Sequence, residues 1–119
     1  MKRCIILALL VLLLIPVAAQ AEGGYKSTQA FTLVVQHNTF LTWNASITPG
    51  VVGYFIYRGT TSGGESSTPL NATPVPGLSY LDLAVVAGTK YYYFVTAVAA
   101  NGITQSGPSN EASDTIPTP

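Results

Sequence analysis

The sequence predicts an all-β protein in which two antiparallel sheets stack into a sandwich. Short apolar or alternating runs recur along the chain and are separated by clusters of Gly, Pro, Asn and Ser, a pattern typical of strands and turns. No window shows the 3.6-residue apolar period that an amphipathic helix requires. The length also fits, because removing a predicted leader of 21 residues from 119 leaves 98, enough for one small domain and not for two.

The first 21 residues have the pattern of a signal peptide. Lys2 and Arg3 give it a basic start, residues 5–15 are apolar without interruption, and the Ala-Gln-Ala of residues 19–21 predicts cleavage after Ala21. An uncleaved membrane anchor is the alternative, but the apolar run falls short of the roughly 18 to 20 residues that span a bilayer. A lipoprotein is disfavoured because Cys4 precedes the apolar run. We therefore expect a secreted, extracellular or periplasmic protein that leaves the membrane once its leader is removed.

Cleavage would also change the composition of the working protein. Cys4 is the only cysteine of the chain, so the mature protein would form no disulfide and would depend on apolar burial for its stability. Three basic and five acidic residues would remain, a net charge of −2. Three scattered cations do not make the clustered basic surface that nucleic-acid binding requires, and we expect no nucleic-acid partner.

Seven runs are predicted as strands. The first three are Phe31–Val35, Thr39–Trp43 and Gly53–Gly59, with a turn at His37 and Asn38 before the second and another at Pro49–Gly50 before the third. The fourth is an edge segment near Leu70, because proline donates no ladder hydrogen bond and the chain has Pro69, Pro74 and Pro76 around it. The last three are Ser79–Leu83, Tyr91–Ala99 and Asn110–Ile116, with a hairpin turn at Asn101–Gly102.

Four segments, in this order and spacing, resemble a bacterial fibronectin type III domain: FLTWNAS, GYFIYRG, AGTKYYYFVTAV and GPSNEAS. Such domains have a tryptophan near the end of the second strand, a tyrosine at the start of the third, and a Gly-Thr-x-Tyr corner before the long sixth strand. Here these are Trp43, Tyr54 and Gly88–Tyr91. The resemblance covers about residues 28–116 and implies a seven-stranded, immunoglobulin-like β-sandwich. The chain departs from the family at its first strand, where KSTQAFTLVV replaces a proline-rich segment.

The corner predicts a structural role for one tyrosine hydroxyl. Where the chain crosses between sheets, the hydroxyl of Tyr91 is expected to hydrogen-bond to upstream backbone. In a domain without disulfides this bond matters more for stability. Trp43, Tyr54, Tyr91 and Tyr93 are together expected to form much of the core, since each large aromatic side chain buries about 150 to 250 Å².

The run of four aromatic residues from Tyr91 to Phe94 raises a separate question. If Tyr91 and Tyr93 point inward, strand alternation turns Tyr92 and Phe94 outward. The resemblance makes the third and sixth strands neighbours, which would add Phe55 and Tyr57 to the same face. These four rings would form an exposed aromatic patch suited to a protein or glycan partner. The alternative, to which we give more weight, is cross-strand pairing that stabilises the sheet and binds nothing.

No catalytic, cofactor or metal site is predicted. His37 is the only histidine, expected to face solvent in its turn, and no nucleophile or carboxylate is placed by sequence to work with it. The carboxylates stand far apart; Asp82 and Glu111 could approach in space, but nothing indicates a glycosidase-type pair. No Cys/His set for zinc or Asp-rich loop for calcium occurs.

The sequence thus predicts a signal peptide (1–21), a short linker (22–27), one domain (28–116) and a tail (117–119). The leading hypothesis is a non-enzymatic exported binding or adhesion module that contacts protein or glycan through the aromatic patch, or through the loops around Pro49–Gly50 and Thr60–Ser67. A passive structural spacer, or a fragment of a larger extracellular protein, is the alternative. The oligomeric state is left open.

Overall fold

The computed structural model describes residues 4–14 and 33–119, with the backbone alone for residues 4–14 and 33–35. This part of the chain contains six strands in two antiparallel sheets of three, with orders β1-β2-β4 and β3-β5-β6. No helix with the length and hydropathy needed to cross a membrane occurs in these ranges. The strands are β1 (Cys4–Leu14), β2 (Leu33–Trp43), β3 (Val51–Gly59), β4 (Ser79–Asp82), β5 (Lys90–Ala99) and β6 (Ala112–Thr115).

Strand β2 runs without a break from Leu33 to Trp43, so the predicted turn at His37 and Asn38 is wrong. The first two predicted strands are one strand, although Phe31 lies outside the described residues. The ladder to β1 continues through both turn candidates, and no non-glycine residue of the described chain has a positive φ. Asn has a turn preference, but a continuous ladder satisfies the backbone groups of this segment better than an isolated turn does.

Strand β1 consists of the apolar run that the sequence assigns to the leader. It pairs antiparallel with the whole of β2, with Cys4 opposite Trp43 and Leu14 opposite Leu33. The cleavage site after Ala21 and the linker 22–27 lie outside the described residues, and the signal peptide stays a prediction. Cleavage at that site would take β1 away from the ladder of β2. With β1 set aside, the described residues of the predicted domain contain five strands, fewer than the seven expected.

The segment near Leu70 is not a strand, but it does cover the edge of β3. The Leu70 amide donates to the Ile56 carbonyl at 2.7 Å, and Tyr54 and Val75 exchange two backbone hydrogen bonds of 2.9 Å. Between them the side chain of Asn71 replaces a backbone partner, since its Oδ1 accepts from the Ile56 amide and its Nδ2 donates to the Tyr54 carbonyl. The Asn71 side chain thus makes the hydrogen bonds that a neighbouring strand would make. It satisfies the backbone groups at the edge of β3 where prolines interrupt the ladder.

The hairpin turn predicted at Asn101–Gly102 is present. Gly102 has a φ of +71° and its amide donates to the Ala99 carbonyl at 2.9 Å. A positive φ is accessible to glycine without steric cost, which explains the residue at this position. The returning chain then pairs with β5, because the Ala99 amide donates to the Thr104 carbonyl and Val98 forms a bridge with Gln105.

The core lies between the two sheets. Leu41 and Trp43 reach it from β2, whereas Phe40 on the opposite face of that strand is exposed. Strands β3 and β5 contribute alternate residues in the same way, as the period of two requires. The cluster consists of Leu41, Trp43, Tyr54, Ile56, Tyr91, Tyr93, Val95, Ala97 and Ile116.

Candidate functional site

The four aromatic residues expected in the core all lie in this inter-sheet cluster. Trp43 and Tyr54 make an edge-on contact with ring centroids 5.5 Å apart and an interplanar angle of 61°. The Tyr91 hydroxyl accepts a hydrogen bond of 3.1 Å from the Val86 amide, as the corner predicts. The Tyr54 hydroxyl does the same for the Ser46 amide at 2.7 Å. Tyr54 and Tyr91 therefore each combine apolar burial with a backbone hydrogen bond that fixes a loop.

A buried ion pair that the sequence did not predict joins the two sheets. The carboxylate of Asp82, which is 3% exposed, accepts from Arg58 Nη1 at 2.8 Å and from the Tyr93 hydroxyl at 2.9 Å. Its other oxygen accepts from the Ala84 amide at 3.0 Å. The guanidinium of Arg58 also donates to the Ala84 carbonyl and lies 5.0 Å from the ring centre of Tyr91. Asp82 thus has donors on both oxygens, which is the arrangement of a structural carboxylate and not of a free base.

The electrostatics of this network follow from its burial. Desolvation first, and then the charge of Asp82, raises the pKa of the Tyr93 hydroxyl well above its ordinary value. Burial opposes the charge of Arg58, but the hydrogen bond and charge of Asp82 raise the pKa of its guanidinium. Arg58, Asp82 and Tyr93 lie on three different strands; the register of β3 with β5 pairs Arg58 with Tyr93, and the stacking of the two sheets brings Asp82 to them. Sequence spacing carried no signal for this network.

The aromatic face predicted to be exposed is largely covered, and this expectation is corrected. Phe55 and Tyr57 are 9% and 7% exposed, and with Val98 they form a second apolar cluster against which Phe94 packs. Tyr57 stacks on Phe94, its partner across the ladder, with ring centroids 4.8 Å apart. Tyr92 is half-buried and lies outside this cluster, with Lys90 Nζ 5.3 Å from its ring centre.

A polar side chain closes the same face. Gln105 Oε1 accepts from the Tyr57 hydroxyl at 2.7 Å and from Thr96 Oγ1 at 2.6 Å. Cross-strand stacking and this bridge bury the rings against their own sheet, which is the physical reason that strand alternation alone overestimated their exposure. The binding role of Phe55, Tyr57, Tyr92 and Phe94 stays a prediction.

Exposed aliphatic side chains gather at one end of the sandwich. Val51 lies opposite Ala99, so the loops that precede β3 and follow β5 emerge side by side. At their tips Ile47 is 94% exposed and Ile103 is 79% exposed. A cleft of about 300 Å³ lies between these loops; its lining includes Pro49, Val51, Ala97, Ala99, Thr104 and Gln105.

The same end carries no charge in the described chain. Residues 44–53, 70–78 and 99–110 contain no Asp, Glu, Lys or Arg. A second open cleft of about 390 Å³ lies beside the first, between Gly50, Tyr54, Pro76 and Leu78. The charged residues lie elsewhere, as with Arg58 and Lys90 at the far ends of β3 and β5. We call this region the loop end, defined by residues 44–52, 76–78 and 100–106.

His37 lies within β2 and not in a turn, and its side chain is half-buried. The expectation that it faces solvent is therefore corrected as well. Its Nε2 has no hydrogen-bond partner within the described part of the chain. A cleft of about 230 Å³ beside it is lined by Gln36, Leu83 and Val85, and no carboxylate is part of that lining. Across residues 4–14 and 33–119, no three His, Cys, Asp or Glu side chains come together as metal ligands.

The loop Thr60–Ser67 is tied to the start of β6. Glu111 accepts from the Ser62 hydroxyl and from the Gly63 amide, each at 2.7 Å. The Ser66 amide donates to the Arg58 carbonyl at 2.9 Å, which closes the loop on the end of β3. Glu111 and Asp82 thus have separate hydrogen-bond partners, since the Asp82 carboxylate is held by Arg58 and Tyr93.

Comparison with solved structures identifies the family. A fibronectin type III-like (Fn3-like) protein from Clostridium thermocellum is 40% identical, over 68% of this chain and 75% of that one, with a TM-score of 0.52. The chain belongs to the Fn3-like family. Pectate lyase PelI from Erwinia chrysanthemi is 22% identical, over 89% of this chain and 27% of that one, with a TM-score of 0.49. No family model matches the chain.

The motifs seen in the sequence agree with membership of the Fn3-like family. The bacterial Fn3-like resemblance carried by Trp43, Tyr54 and the Gly88–Tyr91 corner is confirmed by the Clostridium relative. The two-sheet, all-β architecture agrees with it. The Fn3-like domain therefore presents two candidate binding regions, a covered aromatic face and an open loop end.

Proposed function

We propose that this Fn3-like protein is an exported, non-enzymatic binding module that contacts a protein partner through its loop end. The observation that carries the proposal is the exposure of Ile47 and Ile103 at the tips of two adjacent, uncharged loops. Exposed aliphatic residues beside a cleft are a feature of contact surfaces. Burying one such side chain contributes about 1.5 to 3 kcal/mol, so the two together would carry a substantial part of a binding free energy.

A protein partner fits this surface better than a glycan. The side chains at the loop tips, Ile47 and Ile103, are aliphatic, and the lining of the cleft between the loops contains no aromatic ring on which a sugar could stack. The aromatic ring in the lining of the second cleft, Tyr54, is buried. Of the four aromatic residues that suggested glycan binding, Phe55 and Tyr57 are buried, and Tyr92 and Phe94 are half-buried. A partner surface without charge would complement the loop end, because a charged group placed there would lose water without gaining a counterion.

The proposal that the chain is not an enzyme rests on three acidic groups, Asp82, Glu111 and Asp114, that are held by hydrogen bonds, and on Glu65, whose carboxyl group faces Glu111. Asp82 is held by Arg58 and Tyr93, Glu111 by Ser62 and Gly63, and Asp114 accepts from Thr39 at 3.1 Å. The cleft beside His37 has no carboxylate in its described lining. General acid-base work needs a group that is free to exchange a proton with substrate.

Matched variants test the loop end. Ile47→Ser with Ile103→Ser removes both aliphatic tips, whereas Leu83→Ser with Val86→Ser removes two side chains that are each 63% exposed in the loop before β5. That loop leads into Lys90, at the other end of the sandwich. Both double variants therefore replace two exposed aliphatic side chains by serine, and only the position of the replacements differs. The exported wild type and both double variants would be immobilised, and captured extracellular proteins would be quantified by mass spectrometry.

We expect one protein to be retained by the wild type and by the Leu83/Val86 variant, and its retention by the Ile47/Ile103 variant to fall at least about tenfold, which corresponds to 1.4 kcal/mol. Equal retention by all three forms would contradict binding at the loop end. Capture of nothing by any form would favour the second candidate, a passive spacer. That candidate is supported by the covering of Phe55 and Tyr57 by their own sheet.

A further inference from the structure

Two glutamates meet where the loop Thr60–Glu65 touches the start of β6. Both oxygens of Glu111 accept hydrogen bonds from this loop, one from the Ser62 hydroxyl and one from the Gly63 amide. Gly63 has a φ of +71°, a backbone conformation that glycine adopts without steric cost. The loop is thus attached to β6 by two bonds to a single carboxylate.

Glu65 brings a second carboxyl group to the same place. Its carboxyl group lies within hydrogen-bonding reach of Glu111 and accepts from the Glu65 backbone amide, whereas its Oε1 is buried without a donor in the described chain. Two ionised carboxylates in contact repel each other, whereas a carboxylic acid beside a carboxylate donates a strong, charge-assisted hydrogen bond. A proton on Glu65 would therefore satisfy the buried oxygen and add a third donor to Glu111.

No cation of the described domain replaces that proton. Arg58 on β3 is paired with Asp82, and Lys90 on β5 lies over the ring of Tyr92. Asp114, further along β6, accepts from Thr39. The remaining charged group that acts on each glutamate is the other one.

We propose that Glu65 and Glu111 share one proton and form a pH-sensitive latch, which holds the loop Thr60–Glu65 on β6 in acid and loosens when Glu65 ionises. This latch lies outside the loop end and does not depend on the proposed function. It makes the mobility of one surface loop respond to the acidity of the surroundings.

The sign of the pH dependence follows from the two carboxyl groups. Burial first, and then the hydrogen bond and charge of Glu111, raises the pKa of Glu65 against the opposing hydrogen bond from its own backbone amide. The contribution of Glu65 to the stability of the latch is therefore present in acid and is lost as the pH rises through that pKa. Bonds from Gly63, Ser62 and Glu65 lower the pKa of Glu111, so its contribution is lost only as the pH falls through that lower value. The latch is closed at pH values between the pKa of Glu111 and the pKa of Glu65. Because the two carboxyl groups interact, they titrate as a pair.

Nuclear magnetic resonance of the full chain, labelled with ¹³C at the glutamate carboxyl carbons, tests the latch. The chain has three glutamates, so Glu65→Gln and Glu111→Gln assign the signals directly. In the wild type we expect Glu65 to titrate above the ordinary glutamate range, and the Gly63 amide proton to shift with it. In Glu111→Gln the titration of Glu65 should move back toward the ordinary range.

Glu65→Gln separates a proton switch from a merely structural contact. An amide donates as a protonated carboxyl does but does not titrate, so the Gly63 amide should keep its acid-side position at neutral pH. Hydrogen exchange at Gly63, corrected for its intrinsic pH dependence, should then stay slow where the wild type becomes faster. Titration of Glu65 in its ordinary range in the wild type, or a Gly63 signal that does not respond to Glu65, would overturn the proposal.

Discussion

Replacing Asp82 by Asn tests the main polar link between the two sheets. The carboxylate accepts from Arg58 at 2.8 Å, from Tyr93 at 2.9 Å and from Ala84 at 3.0 Å, and the residue is 3% exposed. Breaking one side of a buried ion pair costs about 3 to 5 kcal/mol, because the remaining charge stays buried without its partner. The Arg58 side chain is 23% exposed and keeps its bond to the Ala84 carbonyl, which favours the lower limit.

We therefore expect Asp82→Asn to lower the free energy of unfolding by about 3 kcal/mol and the melting temperature by roughly 12 to 24 °C. Trp43 is the only tryptophan of the chain and is 4% exposed, so its fluorescence reports unfolding without a label. Asp114→Asn is the matched control, since that carboxylate accepts one part-buried hydrogen bond, and it should cost less than about 1 kcal/mol.

A loss for Asp82→Asn no larger than that of the control would mean that the network contributes little beyond one ordinary hydrogen bond, contrary to this prediction. Arg58→Met combined with Asp82→Leu provides a further check. Removing both charges leaves no unpaired ion, so the double variant should recover much of the stability lost by Asp82→Asn alone.

Two further predictions concern tyrosine hydroxyls. Tyr91→Phe leaves the Val86 amide without its acceptor and should lower the free energy of unfolding by about 1 to 2 kcal/mol in urea titrations; an unchanged midpoint would remove the corner bond from the account. Burial raises the pKa of Tyr93 above its value in the unfolded chain. The contribution of Tyr93 to the free energy of unfolding is therefore complete below the unfolded pKa and is lost as the pH rises above it. Absorbance titration of tyrosinate should leave one hydroxyl un-ionised until the chain unfolds, and this delayed signal should be missing from Tyr93→Phe.

The strand alternation and the turn signals were informative because they depend on local chemistry. A period of two placed Leu41, Trp43, Tyr91 and Tyr93 toward one interior, and glycine at position 102 indicated a turn that needs a positive φ. The same local rules failed at His37, where the sequence has a turn-forming neighbour but the ladder of β2 continues. A local preference of about 1 kcal/mol or less does not outweigh the hydrogen bonds of a continuous ladder.

The covered aromatic face and the polar link required information that no local pattern holds. Alternation states which way Phe55 and Tyr57 point, but not that Gln105 returns across the hairpin to close over the Tyr57 hydroxyl. Arg58 and Asp82 are 24 residues apart, and their contact depends on how two sheets are stacked. Exposure and ion pairing are properties of the assembled layers, so the sequence predicted side-chain direction without predicting burial.

Strand periodicity predicted the two-layer architecture and the aromatic core, and motifs of neighbouring residues carried the resemblance to the Fn3-like family. Which surface stays open depends on the packing of the folded chain. It buried the aromatic face and left Ile47 and Ile103 exposed at an uncharged end. It also brought Glu65 to Glu111. The physical reason is that a strand fixes the direction of its side chains locally, whereas solvent access depends on every segment that packs against them.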